Sequence, residues 1–304
     1  MDGHALSTAL GEFPEKVPLR SRTLESVDCG SYFREKVEYY TEPDELIRAY
    51  ISIPKDRKSK TPAIFCHHQH DWNFALGKSE VVGLAGDPDQ RYAAELAECG
   101  YITFAPDAIG FEERNLSGGT FEAAYFELTS RLVLGRTLLA KVLHDASAGI
   151  DYLESRDEVD RSKIGFIGHS YGGRMAIWAP AFDRRIRASV SNCGCVNYKN
   201  SLRRDAGIQM KFCVPDMMNI DDIEDIVALV VSTPLYISAT DQDKWSRRTE
   251  QIVASAKACF PGDHLKPRIW AGGHVFTKAM REEACRFWTG IFSERAAPLR
   301  RTLK

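Results

Sequence analysis

The sequence predicts an α/β fold: a mostly parallel sheet of about eight strands with helices on both faces. Two observations point there. From residue 62 onward, short apolar segments of strand length alternate with segments of helical spacing, a pattern that builds parallel strands buried on both faces. Upstream, two strand-like segments are joined by Thr41-Glu42-Pro43-Asp44, which is turn chemistry, so the sheet should carry an antiparallel edge.

The elements follow in order. Residues 1–30 show no sustained period and are expected to form an N-terminal arm or short helix. Residues 34–40 and 46–53 are the paired strands, and 62–66 is the first buried strand, running into His67-His68-Gln69-His70. Helical spacing over 90–99 stops at Gly100, a residue suited to the left-handed backbone of a helix end. A strand over 101–105 ends at Pro106-Asp107. Residues 121–155 are periodic and rich in Ala and Leu, a helix expected to break near Gly135 or Gly149. Strand 163–168 leads to a helix at 172–179, and strands follow at 187–192, 234–239 and 267–271. The last two open with proline, which a strand tolerates at its first residue. Helix 278–292 comes last. No repeat or linker-like tract divides the chain, so 31–304 is expected as one domain with a small lid-like insertion around 196–231.

Composition narrows the function. At 304 residues, 44% hydrophobic and 27% charged, the chain can bury a large core without covalent staples. A net charge of -2 speaks against a nucleic-acid or membrane-surface partner. A small-molecule substrate is the expected partner, and a homo-oligomer is left open. No stretch is long and apolar enough for a transmembrane helix, and the first residues lack the basic start and apolar core of a secretory leader. The expected location is cytoplasmic, with cysteines 29, 66, 99, 193, 195, 213, 259 and 285 reduced; none forms a Cys-x-x-Cys pair.

Gly168-His169-Ser170-Tyr171-Gly172 fits Gly-x-Ser-x-Gly. An apolar strand leads in and a small-residue helix leads out, so the motif has the context of a sharp strand-to-helix turn that pushes a serine hydroxyl out of the sheet. The chain packs closely around such a turn, which calls for small flanks at Gly168, Gly172 and Gly173. The helix N-terminus also aims backbone N–H groups at developing negative charge. Ser170 is the candidate nucleophile, and the motif resembles that of the α/β-hydrolase fold.

A serine hydroxyl needs a base to take its proton. In that fold the chain order is Ser, then Asp or Glu, then His. Only His264 and His274 follow Ser170. His264 sits in a turn before a strand. His274, in Ala271-Gly272-Gly273-His274, follows a strand's carboxyl end, where such sheets place functional groups. His274 is the candidate base. The acid belongs at the end of the preceding strand, which runs into Thr240-Asp241-Gln242-Asp243, and spacing alone leaves both aspartates open.

These residues, with the strand 62–66 leading to His68-Gln69-His70, Gly100-Tyr101 through Pro106-Asp107, Gly110-Phe111 and Val159-Asp160, resemble the dienelactone-hydrolase-like and acetyl-xylan-esterase-like branch of the α/β hydrolases. The resemblance covers residues 45–292. It implies a triad acid nine residues after Pro234, which is Asp243, although the family's Gly-x-x-Asp is here Thr240-Asp241-Gln242-Asp243. It implies an oxyanion hole from the N–H of Tyr171 and that of Gln69 or His70, with Gln69 standing where relatives have glycine. The Gln69 side chain is a further candidate donor, and its bulk is expected to crowd the loop. Dienelactone hydrolases proper use a cysteine nucleophile, so Ser170 sides this chain with the esterase-like members.

Other signals carry plainer readings. His68 and His70 share a face of an extended segment but lack a second ligand cluster, so no metal is expected. Asp107 reads as a buried carboxylate bonded to loop N–H groups. Asp221-Asp222 and Glu224-Asp225 read as a solvated face or helix start, and Cys193-Gly194-Cys195 as strand-end packing. The expected function is hydrolysis of a carboxylic ester, lactone or related acyl compound through an acyl-enzyme with a Ser-His-Asp triad and no cofactor. The alternatives are an amide or C–C hydrolase with the same triad, and a non-catalytic hydrolase-like binding protein. Specificity is expected from 108–120 and 196–231, the latter with Met210, Phe212, Met217 and Met218.

Overall fold

The computed structural model describes residues 3–57, 59–203 and 207–293. Residues 1, 2, 58, 204–206 and 294–304, parts of the expected arm, domain and insertion, lie outside the described residues. The strands are β1 (Arg22–Asp28), β2 (Tyr32–Glu42), β3 (Glu45–Pro54), β4 (Thr61–His67), β5 (Ile102–Pro106), β6 (Val159–His169), β7 (Ile186–Asn192), β8 (Leu235–Thr240) and β9 (Leu265–Trp270). They form one sheet in the order β1-β2-β3-β5-β4-β6-β7-β8-β9. From β5 to β9 all neighbours are parallel, while β1, β2 and β3 add an antiparallel edge.

The helices are α1 (Gly3–Leu10), α2 (Lys78–Val81), α3 (Tyr92–Glu98), α4 (Phe121–Val133), α5 (Leu138–Ser155), α6 (Tyr171–Phe182), α7 (Tyr198–Arg203), α8 (Met217–Ile220), α9 (Ile223–Leu229), α10 (Thr249–Lys257) and α11 (Lys278–Ser293). Successive residues of the central strands feed two cores. Phe65, Phe104 and Phe166 join side chains of α5 and α6, and Ile64, Cys66, Ile167 and Val190 join those of α3 and α11. With both faces covered, these strands have no polar side, which is why they read as continuous apolar runs. Among the described residues no helix is long and apolar enough to cross a membrane.

The sheet has nine strands where about eight were expected, and the extra one, β1, lies in the predicted arm. It is an edge strand exposed along almost its whole length, so no apolar alternation marks it. The long helical segment breaks at Gly135, whose φ is 69°, and Thr137 restarts it by accepting the Ala140 N–H. Gly149 stays inside α5, where a Cβ would stand 2.6 Å from the Phe65 ring. Pro267 is the third residue of β9, not its first, and is tolerated because β9 is an edge.

The 196–231 insertion leaves the end of β7 and holds α7, the 3₁₀ turn Met210–Phe212, α8 and α9. Phe212 and Met217 are buried in the core while Met218 is exposed. Asp222 caps α9 and Asp225 reciprocates, so the acidic cluster is a helix start.

Candidate active site

The carboxyl ends of the parallel strands lie on one edge of the sheet, and the candidate residues sit in the loops that leave it. β6 ends at His169 and α6 begins at Tyr171, leaving Ser170 in the turn at φ 56°, ψ -113°. A non-glycine residue held there stores ~1–3 kcal/mol of strain. The turn is pinned on both sides: the Ser170 N–H donates to Asn192 O at 2.9 Å, and the Arg174 N–H donates to Ser170 O at 3.0 Å. Close packing explains the glycine after the motif's tyrosine. A Cβ on Gly172 would stand 2.0 Å from His67 O.

His274 is reached from two strands. Its loop is tied to the end of β8: Thr240 Oγ1 donates to Gly273 O at 2.7 Å, and Asp241 Oδ1 accepts the Gly272 N–H at 2.9 Å. It is tied to β7 by Asn192, whose Nδ2 donates to Val275 O at 3.1 Å and lies 2.7 Å from His169 Nδ1. The His169 ring packs on His274 with centroids 4.6 Å apart. Burial first, then the neighbouring His274, pushes His169 well below the ordinary imidazole range, so His169 is a neutral spacer.

His274 Nδ1 lies 3.0 Å from Asp243 Oδ1. Asp243 also accepts the Trp245 N–H at 2.9 Å and the Ser246 hydroxyl at 2.7 Å, having turned inward to cap a 3₁₀ turn. Burial alone would raise this carboxyl. The hydrogen bond and charge of His274, with the Trp245 and Ser246 donors, outweigh it and hold it below the usual carboxylate range. Of the two aspartates, Asp243 meets the histidine and Asp241 braces the backbone of the histidine's loop. His264, the other histidine after Ser170, lies in the turn before β9, at the sheet's opposite edge.

A model of the dienelactone hydrolase family matches residues 47–282. The chain belongs to the dienelactone hydrolase family. The Bacillus subtilis (strain 168) protein YtaP is 27% identical over an alignment of 287 positions that covers 91% of this chain and 94% of YtaP. The glucuronoyl esterase from Solibacter usitatus superposes with a TM-score of 0.71 at 18% identity, covering 93% of this chain and 88% of that one. The acetyl xylan esterase from Paenibacillus sp. R4 superposes with a TM-score of 0.66 at 17% identity, covering 95% of this chain and 92% of that one. At these identities the two structures share the α/β-hydrolase fold with this family member.

The dienelactone-hydrolase-like loop after β4 closes against α6 because Gly172 has no side chain. That brings the 68–70 backbone beside the start of α6, where Tyr171, as first helical residue, has an N–H without a helical acceptor. The Gln69 side chain is engaged by the helix α2. Its Nε2 donates to Glu80 Oε2 at 3.1 Å.

The neighbouring histidines are neutral and structural. His68 Nε2 accepts the Ala108 N–H at 3.0 Å, which leaves the proton on Nδ1, 2.6 Å from Gln69 O. His70 Nδ1 accepts the Trp72 N–H at 3.1 Å. Burial lowers His67 and His70 to about 3 and His68 to about 4. Among the described residues, three clusters bring metal-ligating atoms within 4.8 Å of one another. In two of them an ammonium already sits among the carboxylates. Lys78 Nζ lies 2.5 Å from Asp107, 2.7 Å from Glu112 and 2.5 Å from Glu113, and Lys141 bonds Glu42 and Asp145. The third, Cys193 with Asp243 and His274, has its carboxylate and imidazole committed to each other, and burial pushes the thiol up to about 12. Asp107 is thus an ion-pair partner of Lys78 besides accepting the Lys78 and Glu113 N–H groups.

Sequence reasoning missed Asn192 and Lys211. A polar residue ending an apolar strand next to the nucleophile strand was the available signal for Asn192. Lys211 gave none. It is fully buried, its Nζ has no hydrogen-bond partner among the described residues, and it lies 4.4 Å from the Phe111 ring centroid and 5.8 Å from that of Tyr171. Burial lowers it to about 7.

Proposed function

We propose that this protein is a serine esterase that cleaves a carboxylic ester or lactone through an acyl-enzyme. The observation that carries the reading is the Asp243–His274 hydrogen bond at 3.0 Å, with the His274 ring packed on His169, the residue before the strained Ser170. With Nδ1 engaged by Asp243, the other ring nitrogen of His274 is left to accept the Ser170 proton. Ser170 Oγ then adds to the acyl carbon. The resulting oxyanion is stabilised by the Tyr171 N–H and the N–H of Gln69 or His70. The tetrahedral adduct collapses, His274 protonates the leaving alcohol, and water repeats the sequence to free the acid. Asp243, buried and held ionised, fixes the tautomer of His274 and balances its charge. The reading is supported by the family and by relatives whose names are those of carbohydrate esterases.

The test uses a series of 4-nitrophenyl esters of increasing acyl length, with a fluorophosphonate probe read by peptide mass spectrometry. Ester turnover together with an adduct on Ser170 is the expected result. Turnover that survives without any adduct at Ser170 overturns the assignment.

A further inference from the structure

Asn192 ends β7 beside His169, its register partner at the end of β6, and it is fully buried. Its backbone carbonyl accepts the Ser170 N–H at 2.9 Å, and a Cβ on Gly173 would stand 2.3 Å from that same oxygen. Its side chain reaches the loop of His274. Nδ2 donates to the carbonyl of Val275, the residue after His274, at 3.1 Å and lies 2.7 Å from His169 Nδ1. One residue thus holds the turn of Ser170 by its backbone and the loop of His274 by its side chain.

The amide has one orientation. Val275 O can only accept, so Nδ2 and not Oδ1 must face it. The second hydrogen of Nδ2 then goes to His169 Nδ1, which must be the acceptor, and the proton of that ring sits on Nε2. Oδ1 is buried with no hydrogen-bond partner among the described residues, so the side chain is held by its donors alone. A charged His169 would turn Nδ1 into a donor facing a donor, and burial already disfavours that charge. The consequence falls on His274, whose ring centroid lies 4.6 Å from that of His169. An imidazolium forming at His274 has the Asp243 carboxylate at one nitrogen and an uncharged ring against its face. Cys193, which follows Asn192 and also lies near the pair, stays a neutral thiol because burial raises it.

We propose that Asn192 is a positioning residue for the esterase reaction: its carbonyl and amide hold the Ser170 turn and the His274 loop at one separation, and the amide fixes His169 as the neutral Nε2–H tautomer. This rests on Ser170 and His274 being nucleophile and base. The other ties of the His274 loop do not replace it. Thr240 and Asp241 hold Gly273 and Gly272, before His274, and Arg281 on α11 holds Phe276 O. At Val275 O the other donor among the described residues is the Cys193 thiol at 3.5 Å, and a thiol donates weakly. Without the Asn192 amide the loop keeps its anchors to β8 and α11 and loses its strong link to the strand that pins Ser170.

The test pairs a measurement on the unaltered full chain with kinetics of Asn192→Ala and Asn192→Asp. Long-range proton–nitrogen NMR spectra of the unaltered protein at neutral pH should show His169 uncharged with its proton on Nε2, and this needs no variant to fold. An ionised aspartate has no hydrogen to donate, so in Asn192→Asp the His169 proton should move to Nδ1. The kinetics use a 4-nitrophenyl ester, with active sites counted at the endpoint of fluorophosphonate labelling so that an unfolded fraction does not enter kcat. Both variants should lower kcat per active site on the order of 10²-fold, the size of effect expected when a reacting group is misplaced by about 1 Å, and leave KM little changed. The rate of Ser170 labelling should fall with kcat. A role in stability alone would lower Tm and leave kcat per active site as it was. The proposal fails if His169 in the unaltered protein is charged or carries its proton on Nδ1, or if either variant keeps its kcat per active site. Those outcomes leave Ser170 labelling of the unaltered protein intact, whereas ester turnover without that labelling overturns the esterase reading itself.

Discussion

Asp243 and Asp241 serve the same histidine loop in different ways: the Asp243 carboxylate takes the His274 ring at 3.0 Å, and the Asp241 carboxylate takes the Gly272 N–H at 2.9 Å. The two side chains are two residues apart, so an extended strand would have pointed them the same way. The 3₁₀ turn Lys244–Ser246 separates them by drawing Asp243 inward as its cap.

Asp243→Asn should therefore lower kcat on the order of 10⁴-fold, the size of the effect in the well-studied serine-protease triad. The asparagine amide leaves His274 in the wrong tautomer. Asp241→Asn keeps an acceptor for the Gly272 N–H and should lower kcat far less. Steady-state kinetics on a 4-nitrophenyl ester, with circular dichroism as the fold control, decides it. The reverse ranking would make Asp241 the functional partner.

Ser170→Gly should be inactive yet more stable than the unaltered protein. The turn holds Ser170 at φ 56°, strain of ~1–3 kcal/mol that glycine relieves, while glycine's own loss of freedom takes back ~0.5–1 kcal/mol. Ser170→Ala should be equally inactive without that gain, because alanine keeps the Cβ. Thermal unfolding of the three proteins is the measurement, and a Gly variant no more stable than the Ala variant would mean the turn is not strained.

Gly172→Ala should damage activity more than its chemistry suggests. The added methyl would stand 2.0 Å from His67 O, a contact that backbone must relieve by moving. That motion parts the 68–70 loop from the Tyr171 N–H, so kcat should fall, and overpacking of this kind destabilises by about 1–3 kcal/mol. Normal turnover by a folded Gly172→Ala protein would show that the two backbone segments do not act together.

The same residues show what was legible beforehand. The parallel strands could be read because burial on both faces leaves apolar runs such as Ile64-Phe65-Cys66. The positions of Ser170 in a strand-to-helix turn and of His274 in a strand-end loop could be read because such segments demand glycine neighbours. β1 could not, since an exposed edge strand is held by its backbone and leaves its side chains free to be polar. The choice between Asp241 and Asp243 rested on resemblance, because a capping turn of three residues leaves no periodic trace. Lys78 and Asp107 are ordinary charges in sequence. Their meeting at 2.5 Å depends on a loop packing that spacing does not encode.

Lys211 is the residue whose burden on the fold can be measured by pH. Its side chain is fully buried, its ammonium has no hydrogen-bond partner among the described residues, and aromatic faces at 4.4 to 5.8 Å are its nearest compensation there. Burial lowers it to about 7, whereas in the unfolded chain it keeps an ordinary lysine value of about 10.4. Between those values the unfolded state binds the extra proton, so the lysine weighs against folding most heavily below pH 7. That weight lightens as pH rises through the window, by at most ~1.4 kcal/mol per pH unit. Lys211→Met keeps the length of the side chain and removes the charge. It should be more stable than the unaltered protein at pH 7, and the difference should shrink steadily toward pH 10. Urea unfolding of both proteins across that range measures it, and taking the difference between them cancels the titration of shared groups such as Asp107. A difference that stays flat with pH would mean that Lys211 finds an anionic partner or water in solution and carries its proton at no penalty.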